Sequence, residues 1–386
     1  MDKVRVGIIG IGNMGSAHAQ SIFGGKVPKL ELTAICDTAP KRQEWAQEKL
    51  PGVKIYDNAS DMMKSGDIDA VIVAVPHYEH PSLAIEGFAN GLHVLVEKPA
   101  GVYTKQVLEM NEAAKKSDKV FCIMYNNRTV PAYQKIRELV QNGTLGKIKR
   151  ISWIITTWYR PQAYHDSCSW RSTWKDEGGG TLINQNPHQI DLWQWMFGMP
   201  SRVMAFGGYG KYRNIEVEDE MTAYMEYDNG THGTYITSIS EAPGTNRLEI
   251  ACDRGKLVYE KDDQLTFWRT TVSEEEFNRT STKIFGGPEY WECKIPIDSK
   301  GEGHVGILKD FTKSILTGSK LLAPGEEGIN GLTISNCMHY SSWTGNWADC
   351  KNFDHDGFYN MLQDKIKKST VVKNVEQRTQ GTEGSY

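Results

Sequence analysis

One hexapeptide constrains the fold of this chain more than any other feature: Gly10-Ile11-Gly12-Asn13-Met14-Gly15, placed directly after the alternating run Val4-Arg5-Val6-Gly7-Ile8-Ile9. The glycines permit a tight turn, bring bare backbone close to a pyrophosphate and let a helix sit close to the strand, while the helix N-terminus faces the phosphates. A helix-compatible run does follow, through Ile22. A second β-rich run, 31–36, closes in Cys36-Asp37 about 20 residues further on, where a carboxylate can accept hydrogen bonds from ribose hydroxyls. The order strand, glycine turn, helix, strand, acid predicts a dinucleotide site at Gly10, Gly12, Asn13, Met14, Gly15 and Asp37. The competing reading is a structural glycine turn with a surface aspartate. Asp37 would repel a 2′-phosphate, so NAD is expected rather than NADP, with Lys41 and Arg42 close enough to soften the preference.

The remainder of the first third repeats the alternation. Strand candidates at 70–75, 93–96 and 120–125 are separated by amphipathic stretches such as Pro40–Leu50 and Pro81–Asn90, which predicts an α/β, doubly wound parallel sheet of the Rossmann kind. The run Ala70-Val71-Ile72-Val73-Ala74-Val75 is apolar on both faces, as a strand covered by helices on both sides must be. Beyond residue 125 the period changes. A helix over Ala132–Asn142 precedes alternating runs at 147–158, 201–213, 217–228, 231–240, 246–252, 255–260 and 264–269, several separated by turns such as Asp228-Asn229-Gly230. They predict a second α/β domain on an open, mainly antiparallel, meandering sheet. Two or three helices follow between Gly303 and Ser369, the last near Phe358–Ile366. The expected division is a cofactor domain over 1–125, a substrate-binding and oligomerisation domain over 126–369 and a polar tail over 370–386. A broad open sheet seldom leaves both faces wet, so a homo-oligomer is expected.

Composition narrows the ligand. With 44 Lys plus Arg against 48 Asp plus Glu, the formal charge is −4, which gives no reason to expect a nucleic-acid or anionic-membrane partner. Apolar runs fall far short of the ~20 residues that span a bilayer. The N-terminus shows no leader pattern, and seven cysteines form an odd, scattered set, so the expectation is reduced thiols in a cytoplasm. No His, Cys, Asp and Glu cluster has metal-ligand spacing.

Ligands of open α/β sheets bind at the carboxyl ends of the strands. Two segments end strands there: Val75-Pro76-His77-Tyr78-Glu79-His80 and Val96-Glu97-Lys98-Pro99. Lys98 can act as a base if burial and a neighbouring cationic ring disfavour its charge; otherwise it is an ordinary solvated lysine. Glu97 reads as a surface carboxylate or as a partner holding Lys98, and Pro99 permits a cis bond. In the second domain, Asp176-Glu177-Gly178-Gly179-Gly180 leads into Asn184, Pro187, His188 and Asp191. Three glycines allow backbone to approach a ligand. Asn184 and His188 share one face if the stretch is helical; Pro187 leaves a kink or a delayed start as the alternative. His188 alone also reads as a core histidine, and Asp191 as its orienting partner or as a residue serving the helix. Aromatics crowd 153–174; some suit a strand core, while Tyr164, His165, Trp170 and Arg171 lie in the loop 160–175, where rings can stack on sugars and polar groups can meet hydroxyls.

Taken together, Gly10-x-Gly12-x-x-Gly15, Asp37, Pro76-x-x-x-His80, Glu97-Lys98-Pro99, Trp170-Arg171, Gly178-Gly179-Gly180 and His188-x-x-Asp191 resemble the Gfo/Idh/MocA oxidoreductases from residue 4 to about 369. The resemblance implies an NAD(P)-dependent dehydrogenase of sugars, cyclitols or their derivatives. It extends the cofactor site to Pro76, His80, Glu97 and Lys98; with it, Lys98 is read as catalytic acid/base and His188 as auxiliary acid/base or orienter, with Asn184 in substrate binding beside the loop residues Tyr164, His165, Trp170 and Arg171. Relatives commonly carry aspartate where this chain has Asn184, and an amide cannot hold a charge or relay a proton. Lys98 is therefore expected to lack a nearby carboxylate. Some members oxidise C3 of glucosides, and the large aromatic loop favours a glycoside or substituted sugar over a free monosaccharide. Two other readings compete: an NAD-assisted glycosidase of the same fold, and an NAD-binding sensor without catalysis.

Overall fold

The computed structural model describes residues 2–260, 264–297 and 299–371; beyond Val371 the polar tail lies outside the described residues. Six parallel strands form the first sheet: β1 (Val4–Ile9), β2 (Leu30–Cys36), β3 (Lys54–Tyr56), β4 (Ala70–Val73), β5 (His93–Val96) and β6 (Phe121–Ile123), in the order β3-β2-β1-β4-β5-β6. The chain builds outward from β1 to one side, then crosses to β4 on the other. That reversal opens a crevice above the carboxyl ends of β1 and β4, where such sheets bind ligands. Every residue of β4 is fully buried, as its uninterrupted apolar run requires. β3 was not foreseen, because Lys54-Ile55-Tyr56 is too short to display an alternation.

The second sheet has nine strands: β7 (Ile148–Ile155), β8 (Arg202–Tyr209), β9 (Glu218–Glu226), β10 (His232–Ser238), β11 (Asn246–Cys252), β12 (Gly255–Glu260), β13 (Gln264–Thr270), β14 (Tyr290–Ile295) and β15 (Ala348–Asp349). Their order, β14-β13-β12-β11-β7-β10-β9-β8-β15, corrects the expected meander. β7 comes first in the chain yet lies at the centre, antiparallel to β11 and parallel to β10. Two antiparallel ribbons thus grow from either side of one strand. β14 is mostly solvent-exposed, so it carries no polar–apolar alternation to read.

Helices Pro187–Phe197 and Gly328–Thr344 cover the inner face of this sheet, with Trp193 set edge-on to Tyr235 at 5.9 Å. The expected C-terminal helices are three: Gly303–Thr317, Gly328–Thr344 and His355–Lys368. The first returns to the parallel sheet, where Ile307, Leu308 and Phe311 join its core. Among the described residues no helix is long and apolar enough to cross a membrane, and none of the seven cysteines forms a disulfide.

Candidate active site

The glycine turn after β1 has three positions with three jobs. Gly10 adopts φ +83°, and a Cβ there would lie 2.6 Å from the Ala74 carbonyl oxygen; a Cβ on Gly15 would lie 1.9 Å from the Gly10 oxygen. Gly12 faces open space. The helix Asn13–Phe23 starts beside it with no side-chain cap and no acidic residue in its first turn, which leaves N–H groups and the positive end of the dipole available to an anion. Asp37 turns toward this loop: Oδ2 accepts from the Ile11 amide and Oδ1 from the Ala39 amide, each at 2.9 Å. An open glycine, an uncapped helix and an adjacent carboxylate fit the pyrophosphate and ribose of a dinucleotide.

At the end of β5, Glu97 is buried with Oε1 2.6 Å from His18 Nε2, and Oε2 accepts the Lys98 amide at 3.2 Å. Burial opposes its charge, yet the His18 hydrogen bond and the cations around it hold the carboxyl down at about 2. Glu97 is therefore engaged with His18 and grips Lys98 by its backbone. The Lys98–Pro99 peptide is cis. Lys98 Nζ donates to the backbone carbonyl of Asn184 at 3.0 Å. Burial pulls this ammonium below the ordinary lysine value; Glu97 and Glu177 oppose the shift, while Arg171 and Arg160 add to it. His80 clips the two strand-end loops together, its ring nitrogens 2.7 Å from the Pro99 carbonyl and 2.8 Å from that of Val75. Pro76 begins the turn that carries His77 and Tyr78.

A loop from the second sheet closes over this edge. The Tyr78 hydroxyl donates to the Trp174 carbonyl at 2.6 Å, and His77 Nδ1 donates to the Glu177 carbonyl at 3.0 Å. Arg171 stacks on Tyr164 and Trp170 at 4.1 and 4.7 Å, and Trp170 meets His77 edge-on at 6.0 Å. The Tyr164 hydroxyl accepts from Arg171 Nη1, from Gln185 Nε2 at 3.1 Å and from Asn184 Nδ2 at 3.3 Å. His165 is buried inside the loop with Nδ1 2.6 Å from the Ser172 hydroxyl. Trp153 and Trp174 are core residues, whereas Trp158 and Trp170 are only partly covered.

Several expectations need correction. The helix carrying His188 begins at Pro187, so Asn184 sits in the preceding turn and the two do not share a helix face. Proline suits a first helical position, where no N–H is needed. Asp191 does not orient His188; it takes both ends of the Arg128 guanidinium, at 2.8 and 2.6 Å. The glycine triplet meets protein rather than ligand, since a Cβ on Gly178 would lie 2.3 Å from Val102 and one on Gly180 2.1 Å from the Glu218 carbonyl. Lys98 does have a second carboxylate nearby. Glu177, 1% exposed, accepts from Asn184 Nδ2 and from the Ser172 amide. In the sequence Glu177 shows no sign of a role, because only its burial separates it from a surface acid. His188 is buried too, and burial, then the charge of Lys98, push its pKa well below the imidazole norm. Its Nδ1 has no hydrogen-bond partner among the described residues.

Residues 4–125 match the model of the oxidoreductase family with an NAD-binding Rossmann fold, and residues 133–258 match the GFO/IDH/MocA C-terminal domain. The chain belongs to the Gfo/Idh/MocA oxidoreductases. It is 25% identical to a levoglucosan dehydrogenase of Pseudarthrobacter phenanthrenivorans, covering 90% of this chain and 98% of that one. It is 29% identical to a D-glucoside 3-dehydrogenase of Escherichia coli over 59% of this chain and 68% of the relative. Among solved structures, the WlbA dehydrogenase from Bordetella pertussis in complex with NADH and UDP-GlcNAcA shares the fold, with TM-score 0.75 at 24% identity over 89% of this chain and 98% of that one. The protein is thus an NAD-dependent oxidoreductase.

Proposed function

We propose that this Gfo/Idh/MocA protein oxidises a secondary hydroxyl of a sugar, cyclitol or glycoside to a ketone, or runs the reverse, with C3 of a glucoside the first carbon to test. The observation that carries the reading is the Lys98 amine: it is partly buried beside the cofactor crevice, below its ordinary pKa, and bonded to a neutral carbonyl rather than to a carboxylate. When bound, NAD supplies the hydride acceptor. Lys98 Nζ takes the hydroxyl proton as the carbon gives up hydride, and returns it in the reverse direction. His188, neutral and four residues beyond Asn184, serves as a second proton carrier or as an orienter of the hydroxyl. Tyr164, Trp170 and Arg171 form a wall on which a sugar ring can lie, with Asn184 binding a hydroxyl and His165 shaping the loop behind. The names of the levoglucosan and D-glucoside relatives support a polyhydroxylated ring.

On this reading, 1–125 binds the cofactor and 126–369 binds substrate and a second subunit, through the outer face of the nine-stranded sheet. The test is a panel of inositols, free hexoses and aryl glucosides with NAD. Accumulation of NADH with at least one of them is expected. Release of aglycone without NADH points to a glycosidase, and NAD binding without turnover to a sensor. Lys98→Ala should lose roughly 10²–10⁴-fold in turnover while still binding NADH; full turnover by that variant sinks the assignment.

A further inference from the structure

We infer that Glu177 is a positioning residue that locks the Asn184 amide with its oxygen toward the ligand, so that the site selects a substrate offering a hydroxyl donor next to the carbon it oxidises. This rests on the dehydrogenase reading above.

The chain of contacts begins with a buried acid. Glu177 Oε1 accepts from Asn184 Nδ2, Oε2 accepts from the Ser172 amide, and Arg171 Nη1 lies 3.8 Å from Oε1. Both carboxyl oxygens of Glu177 accept, one from the Ser172 amide and one from Asn184, so it is the amide nitrogen of Asn184 that faces the acid; the flipped amide would set oxygen against an accepting oxygen. The second N–H of the same amide points to the Tyr164 hydroxyl at 3.3 Å. Both amide hydrogens are then used. Asn184 Oδ1 accepts no hydrogen bond from any described residue, and the residue is only partly buried. The backbone carbonyl of Asn184 meanwhile holds Lys98 Nζ at 3.0 Å.

One residue therefore carries two acceptors at one place: its carbonyl steadies the amine, and its amide oxygen is left for a ligand. A substrate hydroxyl whose proton goes to Lys98 cannot also donate to Asn184 Oδ1. A second hydroxyl can, and because both acceptors belong to the one residue Asn184, we assign it to a neighbouring carbon, as in the vicinal diols of sugars and cyclitols. The amide thus stands at 184 and the carboxylate one contact behind it, at 177.

The exchange of positions supplies the experiment. Steady-state kinetics with NAD are compared for wild type, E177Q, N184D and the double variant E177Q/N184D, together with a substrate whose neighbouring hydroxyl is replaced by hydrogen. E177Q frees the amide to turn, and should raise KM for the sugar roughly tenfold or more while KM for NAD stays put. N184D sets two carboxylates in contact and should lower kcat/KM about 10- to 100-fold. The double variant restores one amide and one carboxylate, and should recover most of that loss, which a merely structural role would not produce. The deoxy substrate should lose as much with wild type as E177Q loses with the full substrate. Unchanged kinetics in E177Q, or no recovery in the double variant, overturns the inference. If E177Q fails to fold, N184D and the double variant decide, and N184D at wild-type activity overturns it. A wild type that turns over no sugar defeats the dehydrogenase reading and this inference together, whereas turnover with an indifferent Glu177 defeats this inference alone.

Discussion

Lys98 must be neutral to accept a proton, and its surroundings set how alkaline the solution has to be. Burial disfavours the ammonium, as do Arg171 and Arg160, against the opposing charges of Glu97 and Glu177. The pKa in the folded protein therefore lies below the ~10.4 of a free lysine. In the oxidation direction the rate should rise with pH and level off above that lowered pKa; in the reduction direction, where Lys98 donates, it should fall across the same range. Initial rates of NADH formation across the alkaline range check this. A midpoint at or above the free-lysine value would contradict the role of burial.

The helix Pro187–Phe197 is anchored by a buried cation as well as by its own apolar residues, Ile190, Leu192, Trp193 and Met196. Arg128, fully buried, binds Asp191 through two hydrogen bonds and meets Glu327 Oε2 at 2.6 Å and the Leu322 carbonyl at 3.0 Å. Tyr125 and Trp195 flank it, 5.4 and 5.3 Å from the guanidinium. The turn after β6, the helix of His188 and the segment 322–327 are joined at this point. Removing one partner leaves a buried charge uncompensated, so Asp191→Ala should cost about 3–5 kcal/mol of stability in urea unfolding. A cost within the few tenths typical of surface sites would show that the pair is not buried in solution. Asp191 looked like a site residue in the sequence because it follows His188 by three positions; the distance to Arg128, 63 residues back, is what decides its work.

At the scale of the whole molecule, one broad surface has no cover from the described residues. On the outward side of the nine-stranded sheet, Met204, Phe206, Tyr224, Ile154 and Ile236 lie among Arg150, Arg247 and Glu249, with Phe206 69% exposed. A second copy of the chain would cover these apolar groups, consistent with the proposed homo-oligomer. Light scattering should find wild type larger than a monomer and Phe206→Glu shifted toward the monomer; a monomeric wild type removes the proposal.

Local patterns were enough for the architecture. β1 with its glycine turn, Asp37, the strand ends at His77 and Lys98, and seven of the nine strands of the second sheet within a few residues are all legible, because period and turn chemistry depend on neighbours in the chain. Strands too short or too exposed to alternate, β3 and β14 among them, left no trace. What local pattern could not reach were partnerships across long separations: β7 between β10 and β11, Arg128 with Asp191, His18 with Glu97, and Glu177 behind Asn184. A carboxylate reads the same in the chain whether water or protein surrounds it, and only folding sets the burial and the partner that make Glu177 act on one amide and Asp191 on one guanidinium.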